Sequence, residues 1–135
     1  MYKHILLFES YNTFYYDIID CLQYLIDDWD LVKLTTTNSH KHIRYLILYN
    51  NEYEECYIID FIKAFKKEIN LENIKSNKEI LLYFDLTGPN DFYTTRNKFI
   101  KSLEELSNRI NKMNYESSII SDYNYSNHFL IKIKQ

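Results

Sequence analysis

Gly88 is the only glycine in this 135-residue chain, and the only proline, Pro89, stands beside it. A loop that cradles phosphate needs several backbone positions free of a Cβ. Neither a Walker A loop nor a G-x-G-x-x-G turn can therefore be built here. The pair also punctuates the chain at one place, between the apolar run Ile80 to Leu86 and the helix-start residues Asn90 and Asp91. Elsewhere the elements must be read from apolar periodicity.

His4 to Phe8 is a short continuous apolar run, which reads as a first strand buried on both faces. Phe14, Ile18, Leu22, Leu25 and Trp29 then recur on one helical stripe, with Asn12 or Thr13 as the cap. Ile43 to Tyr49 reads as the next strand, and Leu31 to Thr36 has the length of a brief extra one. Asn51-Glu52-Tyr53-Glu54 matches a capping box, followed by helical spacing from Ile58 to Ile69. Ile80 to Leu86 is the most apolar strand, and Phe92, Phe99, Leu103, Leu106, Ile110 and Met113 mark a third helix after it. Ser117 to Ser121 and Phe129 to Lys134 close the chain as two strands. Lys132 and Lys134 suit the last of these to a sheet edge.

This order, β-α-β-α-β-α-β-β, predicts a three-layer α/β fold: a mostly parallel sheet of four or five strands with three helices. A ferredoxin-like α+β sandwich is the alternative. No linker, repeat or low-complexity segment divides the sequence, so residues 1–135 are expected to form one globular domain. With 46% apolar and 26% charged residues, the composition supports a packed core and not a disordered chain. The abundance of Tyr and Asn matches AT-rich coding, so the 14 tyrosines are not read as a binding surface.

No apolar run approaches the roughly 18 residues that span a bilayer, and Met1 to Glu9 lacks the cleavage pattern of a signal peptide. Cys21 and Cys56 sit among apolar residues without a redox motif, which suits a reducing, cytoplasmic setting. The net charge of −3 gives no basic footprint, so direct nucleic-acid binding is not expected.

Ligands of open α/β sheets bind beyond the carboxyl ends of strands. That rule nominates Ser10 and Asn12 after the first strand and Asp85, Thr87, Gly88 and Asn90 after the strand at Ile80 to Leu86. A nucleotide or other small anionic ligand could dock there, against the start of the following helix. The plainer role of Thr87, Asn90 and Asp91 is to close the strand and cap that helix, with Gly88 supplying the turn. Over Asp85-Leu86-Thr87-Gly88 the turn resembles the phosphate-side turn of CARF nucleotide-sensing domains. Pro89 stands where a second glycine is needed and no Thr-Lys pair follows, so the resemblance extends no further.

His40-x-His42 lacks a third ligand at a legible spacing, and no metal or other cofactor is expected. No motif frames a nucleophile, so the sequence leans away from catalysis. A different signal comes from the helix ending at Trp29. Asp17, Asp20, Asp27 and Asp28 gather on one side with Tyr24 between them, and Asp30 follows. Like charges one turn apart cost about 0.2–0.5 kcal/mol per pair, and acids at a helix C-terminus cost about 0.3–1 kcal/mol each. The expectation is a protein partner with a basic surface, met by these acids with Tyr24 and Trp29 as aromatic anchors. The chain is then a small non-enzymatic protein-binding module of the inhibitor, immunity or anti-defence kind.

Overall fold

A computed structural model describes residues 2–34, 43–50, 63–86, 92–121 and 127–135. The first element is a single helix, α1 (Tyr2–Trp29), about 42 Å long at 1.5 Å per residue. The expected strand at His4 to Phe8 is thus helical. Its run is leucine-rich rather than β-branched, and Glu9-Ser10-Tyr11-Asn12 contains nothing to break a helix, so the segment joins the periodic stretch that follows. Phe14, Ile18 and Leu22 are fully buried and Leu25 nearly so, as the spacing requires. The helix stops at Asp30, whose φ of 53° is left-handed, and the Leu31 N–H reaches back to the Ile26 carbonyl at 3.1 Å. This is a Schellman ending with aspartate in the place glycine usually takes.

The remaining elements are β1 (Val32–Lys33), β2 (Ile43–Leu48), a 3-10 segment Lys63–Glu68, α2 (Leu71–Lys75), β3 (Glu79–Leu86), α3 (Phe92–Lys112), β4 (Glu116–Ser121) and β5 (His128–Lys134). The brief strand expected near Leu31 is β1. Of the helix expected from Asn51 to Ile69, residues 51–62 lie outside the described residues. Its last part is 3-10 and not α, broken at Phe65 with φ −116°. The Asn70 side chain caps α2 by accepting from the Asn73 N–H.

The strands form one mixed five-stranded sheet in the order β1-β2-β3-β5-β4. Only β1 and β2 pair in parallel; the three other pairings are antiparallel. The mostly parallel expectation is corrected for two reasons. Parallel neighbours need a crossover from a preceding strand, and the segment expected as the first strand is part of α1. β5 follows β4 closely in the chain and pairs directly against it, antiparallel. Since β3 and β4 both run antiparallel to β5, they are parallel to each other, with α3 crossing between them and β5 inserted. This split β-α-β unit is shared with the ferredoxin-like alternative, but the five-strand order is not.

α1 and α3 cover one face of the sheet, packing Phe14, Ile18, Leu22, Phe99, Leu103 and Ile110 against Ile80, Leu82, Phe84, Phe129 and Ile131. Phe65 and Ile74 cover the other face over Leu46, Leu48, Leu81, Tyr83 and Leu130. All eight residues of β3 are buried, which explains the unbroken apolar run Ile80 to Phe84 at its centre. β5 lies between β3 and β4, so its lysines guard no edge; the Lys132 and Lys134 Nζ atoms stand 3.9 and 4.0 Å from the buried Glu79 carboxylate.

Candidate functional site

The exposed side of α1 carries the acidic face. Asp20, Asp27 and Asp28 are exposed, and Tyr24 is 65% exposed. Asp20 and Asp28 form no ion pair with a cation among the described residues. Asp27 accepts from Gln23 Nε2 at 2.9 Å, a bond one turn apart along the same helix. The Arg109 guanidinium of α3 lies 4.7 Å from the Tyr24 ring centre, a cation resting on an aromatic face. Cys21, Tyr24 and Asp28 of α1 border a cleft of about 60 Å³ between α1 and α3, with Glu105 and Arg109 of α3 opposite. Burial pushes the Cys21 thiol up, opposed by the charge of Arg109, so this sulfur stays protonated at neutral pH.

Three residues of the expected patch serve the fold. Asp17 Oδ2 accepts the Tyr115 hydroxyl at 2.6 Å, joining α1 to the turn between α3 and β4. Burial, and then that bond and the Asp17 charge, push the Tyr115 phenol up to about 12. Asp30 supplies the left-handed residue that ends α1. Trp29 is half-buried: its Nε1–H donates to Ser102 Oγ at 3.0 Å and its ring meets Phe99 edge-on at 5.2 Å. Its aromatic mass faces inward, and it is no exposed anchor.

Tyr16 went unmarked in the sequence, yet it is 56% exposed. It precedes Asp20 by four residues and Tyr24 by eight, so the Tyr16 and Tyr24 positions stand about 12 Å apart along the helix axis on one side of α1. The available signal was its place off the apolar stripe at that spacing. Its ring lies 5.6 Å from Tyr15, which stacks at 4.0 Å on Tyr49.

The second expected site is arranged differently. Ser10 and Asn12 lie within α1, not in a loop beyond a strand. Thr87, Gly88 and Asn90 lie outside the described residues, as do His40, His42 and Cys56. Asp85 is buried and accepts from Arg44 Nη2 at 2.5 Å. Its other oxygen is 3.7 Å from His128 Nε2. Arg44, Asp85 and His128 face one another across β2, β3 and β5. Tyr83 completes the row through its hydroxyl to His128 Nδ1. Burial and the Asp85 charge hold the Tyr83 phenol well above its usual range, so its hydroxyl stays protonated beside His128. Arg44 satisfies the carboxylate from within the sheet, and the row fastens three strand ends together.

Among the described residues no group of three His, Cys, Asp or Glu side chains is placed to hold a metal ion. Nor is any helix among them long and apolar enough to cross a membrane. Comparison with family models, with curated proteins and with solved structures finds no match to this chain.

Proposed function

We propose that this chain is a small non-enzymatic protein-binding module that meets a basic protein surface through the exposed face of α1, in the manner of an inhibitor, immunity or anti-defence protein. The observation that carries the reading is the exposure of Asp20 and Asp28 around Tyr24, without an ion pair to a cation among the described residues. Asp28 lies in the last turn of α1 with Asp27, where the dipole opposes a carboxylate, and Asp20 stands one turn before Tyr24 on the same exposed side. A basic partner would repay that cost, with the acids steering encounter and the Tyr16 and Tyr24 rings supplying rigid apolar contact. The arrangement of Arg109 over Tyr24 is the contact a partner arginine would make with the Tyr16 ring. Asp17 and Asp30 belong to the framework of this face; Asp20, Tyr24, Asp27 and Asp28 meet the partner. A cytoplasmic setting, with neither membrane nor nucleic acid as the target, completes the reading.

The test is affinity capture from the native cytoplasm with the wild-type chain and with Asp20, Asp27 and Asp28 all changed to Lys. A partner with a basic surface should be retained by the first and lost by the second at unchanged circular dichroism. Equal retention by both chains defeats the proposal.

A further inference from the structure

The two edges of the sheet are built in opposite ways. At one edge β1 is two residues long and ends on Lys33, a short, charged border of the kind that discourages pairing. At the other, β4 runs for six residues, Glu-Ser-Ser-Ile-Ile-Ser, without lysine, arginine or proline, and no strand among the described residues lies beyond it. Glu116 stands opposite Lys134 across the ladder, which leaves Ser117 to Ser121 without formal charge.

Two apolar rows cross the sheet and end at this border. On the helix-covered face the row is Ile47, Leu82, Ile131 and Ile119; on the other it is Leu46, Tyr83, Leu130 and Ile120. Ile119 and Ile120 are both only partly buried, so each core layer opens at β4.

The backbone narrows what can fit. Asn111 Oδ1 accepts the Ser117 N–H at 3.0 Å and the Ser117 hydroxyl at 2.8 Å. That amide therefore points away from β5, and by alternation so do those of Ile119 and Ser121. Asn111 closes the border at Ser117, leaving the amides and carbonyls of Ile119 and Ser121 facing outward.

We propose that β4 pairs antiparallel with β4 of a second copy about a two-fold axis near Ile120. In that register Ile119 of each copy exchanges backbone hydrogen bonds with Ser121 of the other. Ile120 meets its own counterpart, and Asn111 keeps its hold on Ser117. The row through Leu130 and Ile120 then continues into the second copy. A second copy fits better than a foreign strand because a two-fold pairing consumes both borders at once, whereas an added foreign strand presents a new open border of its own. The contact is short, so the dimer is a weak, concentration-dependent one.

Ser121→Pro tests this directly, because it removes an outward N–H and no ladder bond. Sedimentation of the full chain should show the mass rising toward twice the monomer value as concentration increases, while Ser121→Pro stays monomeric with unchanged circular dichroism. A wild-type chain that remains monomeric up to about 1 mM overturns the proposal, as does a Ser121→Pro chain that dimerises equally well. Should the proline variant not fold, amide exchange of the wild type decides. The Ile119 and Ser121 amides should exchange more slowly at high concentration, and an unchanged rate contradicts the pairing.

Discussion

Asp85 and Glu79 lie six residues apart on β3, both buried, and each is answered by cations from neighbouring strands: Arg44 of β2 for the first, Lys132 and Lys134 of β5 for the second. Removing one member of such a pair costs more than the pair contributes, because the other charge is left stranded. Asp85→Ala should therefore lower stability by about 3 kcal/mol, the low end for a buried pair because the Arg44 side chain is one-third exposed. Urea unfolding reads this as a lower midpoint at unchanged slope; a loss below about 1 kcal/mol contradicts it. Tyr115→Phe removes the bond to Asp17 and should cost about 1 kcal/mol at neutral pH. The Tyr115 phenol is raised from 10 to about 12 in the fold, so its contribution is whole below pH 10 and is lost as pH climbs toward 12. The gap between wild type and Tyr115→Phe should close over that interval in pH-dependent unfolding. In sequence Asp85 looked like a free carboxylate at a strand end. Its partner is 41 residues earlier, and a cross-strand register is invisible to local pattern.

The helices ending at Trp29 and Lys112 and the strands at Ile43, Ile80 and Phe129 were legible because each buries an apolar face, and the strand at Ser117 was legible from the paired Ile119 and Ile120 between serines. His4 to Phe8 was not. A five-residue apolar run fits a strand and a helix equally, and the neighbouring helix decided it. Turns escaped for a related reason. With one glycine available, Asp30, Asn50, Asn77 and Asn114 take the left-handed positions at φ 53°, 52°, 63° and 69°. The Asn excess, attributed to coding bias, thus also has a conformational use, since Asn tolerates this region better than other Cβ-bearing residues. Asn114, between α3 and β4, gives the clearest test. Asn114→Gly should raise stability by about 0.5 kcal/mol and Asn114→Ala lower it by about 1 kcal/mol. Thermal unfolding of the two variants should straddle the wild type; glycine below alanine contradicts the account.

The sheet as a whole was legible in class and not in topology. The mixture of helices with one sheet and the burial of β3 follow from the apolar pattern, whereas pairing direction depends on which segments become strands, and the first segment became a helix. The acidic face was legible as a set of residues. What the sequence concealed was their division into Asp17 and Asp30, which serve the fold, and Asp20, Tyr24, Asp27 and Asp28, which have an open side. The central claim is that this open side exists for a basic partner. Amide chemical-shift mapping of the isotopically labelled chain during titration with the captured partner tests it most directly. The account predicts shifts concentrated from Tyr16 to Asp30 and at Arg109. Shifts confined to the Arg44, Asp85 and His128 end of the sheet, with α1 unmoved, would contradict it.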